Sequence, residues 1–589
     1  MPVQLQLRDE LPRDEFRRAG SSSRNSRPSR SLSLRGADLL LIPMLISVLL
    51  TGCGTMKNWA RNGFKVGPEY GRPAAPVSEE WIDDYDERIS AELPQNPMWW
   101  EVFDDPILDQ LVQSVYDQNL TLRAAGMRVL NARAQRGIAI GGWFPQQQSQ
   151  FGQFRRDRRS ITTSGLGSLI GRGPVAIERE STTWSSGVNM AWELDIWGKF
   201  RRRIEAADAS LEASVEEYDA VLVSLVADTA STYVEYRTAQ KRLAYAKANV
   251  QAQKGSLKIV TARRDAGKVS DLDVAQTTTT LKNTEQLIPQ FEAQIRSANN
   301  RLCTLLGIPV QDLSEQLGER PIPTAPAEVA VGIPADLLRR RPDVRAAERQ
   351  VAAQCAQIGV TTADLFPHFS INGALQFESE RFKHLVSSAA NAGYIAPGFQ
   401  WDILNYGRLI NAVRAEEALF QDLARQYQQS VLTANEEAET AINSFLKSQE
   451  RLITNREAVV ASRKAWTIGK DQETEGLIDY NRVFNLEVLK VQDEDRYATT
   501  QGDLAQALIT IYRALGGGWE IRGGYTPASP GTETPADGGA APETPESLEE
   551  LENDAFEDDI PAPEAIRMED LEEAGEAEPE DDAASEDTN

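Results

Sequence analysis

Histidine and cysteine are almost missing from this chain of 589 residues: His368 and His384, and Cys53, Cys303 and Cys355, are all there are. Two histidines leave little from which to build an imidazole metal site or a His-dependent triad. There is no glycine-rich phosphate loop and no Cys–His spacing. These absences point away from an enzyme, and no cofactor, metal or nucleic-acid partner is expected. Cys303 and Cys355 lie on segments that read as helices; a disulfide and two buried free thiols both fit an exported chain. A long apolar run is lacking too. Leu39 to Leu50 is about a dozen residues with Pro43 inside, short of the roughly 20 that a spanning helix needs.

The net charge of −26 is not spread over the chain. From Thr532 onward there are 23 acidic residues and one Arg. That marks residues 526–589 as a solvated acidic tail that buries too little surface to fold. Ser547 to Phe556 and Ile566 to Leu571 are its only candidate docking helices. At the other end, residues 1–52 read as a Ser- and Arg-rich leader followed by a secretory h-region after Arg35. The h-region ends in Leu50-Thr51-Gly52-Cys53, which resembles the bacterial lipobox, where the cysteine is acylated and becomes the new N-terminus. Gly54 in place of Asp resembles sorting to the outer membrane. The competing reading is an ordinary export signal with an incidental cysteine.

What the chain does contain is itself, twice. Trp192-Glu193-Leu194-Asp195-Ile196-Trp197-Gly198-Lys199 recurs in degraded form as Trp401-Asp402-Ile403-Leu404-Asn405-Tyr406-Gly407-Arg408, 209 positions on. Gly267 maps onto Gly476 and Leu306-Gly307 onto Leu515-Gly516 with the same shift. Upstream the shift is 222: Arg123-Ala124-Ala125 with Arg345-Ala346-Ala347, and Phe144-Pro145 with Phe366-Pro367. A period this long is a doubled domain and not a solenoid repeat. The mature chain divides into a Pro-rich strap over residues 53–98, a first repeat over 99–320 and a second over 321–525.

Periodicity gives each repeat its order. Asp105 and Pro106 suit a helix start, and the helical pattern runs from Leu108 to about Gly141 with a weak interruption near Asn119. Trp184, Ser186, Val188, Met190, Trp192 and Leu194 then alternate with polar or small residues, a strand with one apolar and one wet face and Trp at both ends. Phe369 to Phe377, and Ile395, Pro397, Phe399, Trp401 and Ile403, repeat the pattern. A weaker strand spans Gln146 to Phe154, with Arg155 to Arg159 as its hairpin tip. Each repeat thus supplies one hairpin. Four strands cannot close a sheet in hydrocarbon, so an oligomer must; three chains give twelve strands. Leu211, Val215, Tyr218, Leu222, Leu225, Thr229 and Tyr233 form a heptad-like seam. The stretches from Gly198 to Gly267 and from Gly407 to Gly476 predict helices of roughly 100 Å at ~1.5 Å per residue. Pro289 predicts a kink in the first returning helix only.

In order and spacing, these motifs resemble the TolC family of outer-membrane efflux proteins, in particular its lipoprotein branch of OprM and NodT-type members. The resemblance rests on Cys53, Trp99-Trp100 with Phe103, Asp105, Pro106 and Leu108, Phe144-Pro145, the Trp192 to Gly198 motif, Gly267 with Ser270, Leu272, Asp273 and Val274, Leu305-Leu306-Gly307, and Arg340 to Val344. It implies a mainly helical, duplicated fold with a membrane β-barrel part: a homotrimer with a twelve-stranded barrel and a twelve-helix periplasmic tunnel. The implied role is the exit duct of a tripartite pump, joined to a periplasmic adaptor and an inner-membrane transporter of the RND type. Trp184, Trp192, Trp197, Trp401 and Tyr406 are then membrane-interface residues, Cys53 carries the lipid, and selectivity is sought at the glycine tips. An outlet for type I protein secretion shares the fold. A pore-less, lipid-anchored coiled-coil protein explains the heptads but not the amphipathic strands.

The resemblance implies that Gly267 and Gly476 mark periplasmic tips that meet the adaptor, with Ser270, Leu272, Asp273, Arg482 and Asn485 beside them. Asp273 keeps the family's acidic position after the first glycine, whereas the second repeat has Arg482 there and Asn485 three residues on. Arg reverses the local attraction for cations, so a role in the closed state requires pairing with a neighbouring carboxylate; an outward-facing Arg482 is the alternative. Arg482→Glu, read by single-channel conductance, decides between them: a changed conductance supports the gate role, and an unchanged one removes it.

Overall fold

The computed structural model describes residues 59–92, 98–158 and 180–523. The leader, Cys53 and the tail over 526–589 with its two candidate helices lie outside the described residues, as does Arg159. The chain separates into two units, Met1–Tyr525 and Thr526–Asn589, and every described residue belongs to the first.

Both repeats follow one plan, helical segment, β-hairpin, 67-residue helix and returning helical segment, with the flanking segments each broken in two in the first repeat. The first opens with helix α1 (Pro106–Gln118), whose Asp105 accepts a bond from Ile107 N at 3.0 Å, with Pro106 at the first helical position. Asn119 ends α1 and starts α2 (Leu120–Gly141): its side-chain oxygen accepts from Leu122 N at 3.0 Å while its amide donates to Leu305 O at 2.7 Å. Strands β1 (Gln147–Arg158) and β2 (Glu180–Leu194) come next, then α3 (Lys199–Asp265), α4 (Asp271–Glu285) and α5 (Leu287–Leu306). The second repeat consists of α6 (Pro342–Ala363), β3 (His368–Ser379), β4 (Asn391–Gln400), α7 (Arg408–Thr474) and α8 (Tyr480–Ala514). The α4–α5 break falls at Gln286, three residues before Pro289, which has no N–H to offer the carbonyl of Glu285. The second repeat has no such proline, and α8 runs unbroken for 35 residues.

The two hairpins join into one antiparallel sheet in the order β1-β2-β3-β4, with Trp192 opposite Ile371 across the central pair. Because directly opposed residues share a face, Phe154, Trp184, Val188, Met190 and Trp192 line up with Phe369, Ile371, Leu375, Phe377, Ile395 and Phe399. The opposite face carries Ser149, Asn189, Ser370, Asn372 and Gln376. Two expectations need correction. Arg155 to Arg158 are not a hairpin tip but the end of β1, where the ladder with β2 continues to the last residue and Arg156 binds Glu180 at 2.7 Å. Trp401 and Ile403 lie beyond β4, which stops at Gln400.

Helices α3 and α7 are each 67 residues long, or about 100 Å at ~1.5 Å per residue. The seam on α3 is only part of what it buries. From Leu222 to Ala239 it is covered on nearly every side, with α5 and α8 alongside, whereas Leu211, Val215 and Tyr218 are half-buried. At this level the core is widest: Trp99 stacks on Tyr512 at 5.2 Å, and Tyr233 donates to Asp105. Arg237 is fully buried, donates to the carbonyls of Leu317 and Gly318 and lies 4.8 Å over the Tyr233 ring. Cys303 and Cys355 are free and buried.

The strap is pinned along the first repeat. A Cβ on Gly67 would come within 2.4 Å of the Cα of Gly359 on α6, so backbone meets backbone there. Arg201 donates to the carbonyls of Gly63 and Phe64, and Arg202 to that of Val66.

After α8 the chain docks back on α3 and α6. Arg522 binds Asp219 at 3.1 Å, and Arg345 lies 4.7 Å over the Trp519 ring. Burial pushes the Asp219 carboxyl up to about 6, against the pull of Arg522. The folded chain therefore holds this proton to higher pH than the unfolded chain, so the group adds stability as pH falls from about 6 towards 3.8. The expected outcome is an apparent Tm that gains more between about pH 7 and 5 in the wild type than in Asp219→Asn; equal gains would contradict it.

Candidate functional site

Most of the candidate site residues fall at two kinds of place in the fold: the joints where strand becomes helix, and the turns between the long helices. At the first joint, Trp192 Nε1 donates to Trp143 O at 3.3 Å; at the second, Trp401 Nε1 donates to Leu365 O at 3.0 Å. Each acceptor lies two residues before a proline, Pro145 or Pro367, at the end of the helix that precedes the hairpin. Gly198 and Gly407, at φ 79° and 83°, then turn the chain into α3 and α7 in a conformation that a Cβ resists. Asp195 supplies the missing cap at the first joint, accepting from Phe200 N at 2.9 Å and Arg201 N at 3.2 Å.

Around this frame the two joints differ. Trp197 donates to Pro367 O at 2.8 Å, stacks on Phe366 at 4.6 Å and meets Trp59 of the strap. Tyr406, its counterpart, is 97% exposed, at a φ of 52°. At the far end of the sheet, Trp184 packs against Phe154 and Phe382. The eight steps from Trp184 to Trp192 span about 26 Å at ~3.3 Å per residue, close to the roughly 25 Å apolar band of an outer-membrane barrel.

The glycine turns share one geometry. Lys268 N bonds Arg263 O and Gly267 N bonds Arg264 O; Leu477 N and Gly476 N do the same to Gln472 O and Glu473 O. Both are Schellman caps with glycine in the left-handed region, and Gly307 and Gly516 repeat them at the opposite end. Ser270 starts α4 in a capping box: Asp273 accepts from Ser270 N at 2.8 Å and Oγ at 2.7 Å, while Ser270 Oγ accepts from Asp273 N. In the second repeat Asp479 holds the cap position without a side-chain bond, and Arg482 occupies the third helical position. Leu272, Arg482 and Asn485 are exposed. Among the described residues Arg482 makes no ion pair, so none of them supplies the carboxylate expected beside it.

Cross-links that sequence reasoning missed tie the helices together just inside these turns. Arg263 pairs with Glu473 across the ends of α3 and α7, and Thr277 bonds the Tyr480 hydroxyl at 3.1 Å. Further in, Glu494 accepts from Asn249 at 2.9 Å and Arg463 at 2.7 Å, and Lys490 donates to Asn249 at 3.1 Å. Burial pushes the Glu487 carboxyl up, opposed by Lys490 and Lys470. Nothing local marks these residues, because they meet only when α3, α7 and α8 are side by side.

The family model described as outer membrane efflux protein matches residues 111–308 and 333–517. The chain belongs to the outer membrane efflux protein family. It is 30% identical over 433 residues to the pyoverdine export outer membrane protein OpmQ of Pseudomonas putida, covering 72% of this chain and 88% of that protein. To nodulation protein T of Rhizobium leguminosarum bv. viciae it is 29% identical over 446 residues, 75% of this chain and 87% of that one. Among solved structures, the outer-membrane channel OprN superposes with a TM-score of 0.71 at 33% identity, covering 77% of this chain and 99% of that chain.

This efflux protein therefore has the duplicated TolC fold, sits in the outer membrane with a large periplasmic part, and acts as the outer-membrane exit duct of a tripartite efflux system. Among its described residues no helix is long and apolar enough to cross a membrane. Removing the capping box with Ser270→Ala is expected to cost about 1 kcal/mol locally and to speed amide exchange over the first turn of α4. Unchanged exchange there would show that the box contributes nothing.

Proposed function

We propose that three copies of the chain close a twelve-stranded barrel and a twelve-helix tunnel, anchored by a lipid on Cys53. The observation that carries this reading is the sheet: four antiparallel strands, one apolar face, and outer edges on β1 and β4 with no partner among the described residues of the chain. Open edges in hydrocarbon leave backbone groups unsatisfied, and neighbouring copies supply the missing strands. Leu120, Met127, Leu130 and Ile138 add an exposed apolar stripe along α2 that a second copy would cover.

In this reading the turns at Gly267 and Gly476 meet the hairpins of a periplasmic adaptor, and an inner-membrane transporter of the RND type drives the flow. Trp184, Trp192, Trp197, Trp401 and Tyr406 sit at the membrane interfaces, and Asp273 and Arg482 face the narrow end of the tunnel. No catalytic step is assigned. Relatives are named for pyoverdine, toluene and solvent efflux; cargoes this unlike one another suit a passive duct for small molecules whose choice is made by the pump. The expected outcome is a heat-modifiable trimer that opens channels in planar bilayers and takes up labelled palmitate in cells, the label being lost in Cys53→Ser. A monomer without conductance would sink the trimeric reading, and palmitate retained in Cys53→Ser would sink the anchor.

A further inference from the structure

The joint between barrel and tunnel holds a four-membered charge cluster drawn from both repeats. His368, the first residue of β3, places Nδ1 2.8 Å from Oε1 of Glu193 near the end of β2. Its Nε2 is 3.9 Å from Oδ1 of Asp364, just past α6. Lys199, the first residue of α3, lies 2.8 Å from the same Asp364 oxygen and 4.0 Å from the same Glu193 oxygen. All four side chains are half-buried, between 20% and 34% exposed.

Register fixes which way the cluster looks. Glu193 is opposite Ser370, and His368 lies two residues from Ser370 on the same strand, so both belong to the polar face. The apolar face carries Trp192 and Ile371 instead. With apolar side chains towards lipid, the polar face of a barrel strand looks into the lumen. On the far side of His368, β4 presents Gln400, which bonds Asp402, and Asp402 lies 3.8 Å from Arg408 of α7.

We propose that Glu193, Lys199, Asp364 and His368 form a proton-sensitive charge collar on the lumen wall, biasing passage towards cations while His368 is neutral and losing that bias when His368 takes a proton. This rests on the trimeric duct proposed above. With His368 neutral, two carboxylates face one ammonium, leaving one uncompensated negative charge per chain; a proton on the imidazole cancels it. That proton, added at Nε2, meets the Asp364 carboxylate, so both ring nitrogens then point at acids. Histidine is the side chain whose charge changes between about pH 5 and 8, and rings of charged side chains set ion preference in pores. Their reach grows from about 10 Å at 0.1 M salt to about 30 Å at 0.01 M, so the collar acts most strongly in dilute medium.

The test is the reversal potential of the reconstituted trimer in a dilute KCl gradient. Wild-type channels are expected to prefer K⁺ at about pH 7.5 and to lose that preference at about 5.5, while H368Q keeps it at both. The other histidine, His384, lies in a turn at the opposite end of the sheet and Asp219 lies twenty residues into α3, so neither is removed by this variant. A wild-type preference that does not move with pH, or an H368Q channel that keeps the wild-type pH step, would overturn the collar. If H368Q does not assemble, E193Q must lower the K⁺ preference at about pH 7.5; an unchanged preference overturns the collar as well. Absence of any channel would overturn the trimeric duct and the collar with it, whereas open channels of pH-indifferent selectivity would overturn the collar alone.

Discussion

Everything in this molecule depends on a strand becoming a helix without leaving a polar backbone group stranded. The bonds from Trp192 to Trp143 O and from Trp401 to Leu365 O serve that hand-over. Each indole gives its N–H to the end of the incoming helix; register puts the Trp192 ring on the apolar face of β2, whereas Trp401 stands just past the end of β4. Gly198 and Gly407 turn the backbone immediately afterwards. If the joint were loose, the register of the sheet and the direction of two helices of about 100 Å would not be set together.

The unequal finish of the two joints comes from having one strap for two repeats. Trp197 is packed between Phe366 and Trp59, while Tyr406 has the equivalent place and is almost wholly exposed. The first repeat thus completes its own joint, with Lys65 pressed on Gly198. The second is left open among the described residues, where a neighbouring copy would stand in the proposed trimer. The same incompleteness shows in α2, whose apolar stripe has no cover among the described residues.

Much of the fold was legible because it rests on periodicity and on glycine. The shift of 209 residues located both joints and all four Schellman turns, since a left-handed backbone leaves few choices of residue. Strand faces can be read for β2 and β3, where apolar and polar residues alternate. They are less clear in β1, where Gln147 to Gln150 are polar on both faces and the arginines after them resemble a turn. The position of Asp273 suggests a gate residue, and the structure adds a local duty as half of a capping box. Glu487, Glu494 and Asn249 carry no sequence signal, because a polar residue at a helical position looks solvated until another helix covers it.

By itself the sequence determined the duplication, the order of helix, hairpin and helix, the two joints and the glycine turns. These are local properties, fixed by the period of side chains and by what φ a residue tolerates. Only tertiary structure decided that β2 pairs with β3 to make one sheet of two hairpins, that Arg237 is buried against the rings of Tyr233 and Tyr236, and that His368, one of only two histidines, lies between Glu193 and Asp364. Those outcomes depend on groups far apart in the chain arriving at one place, and charges acquire meaning only from the neighbours that packing brings.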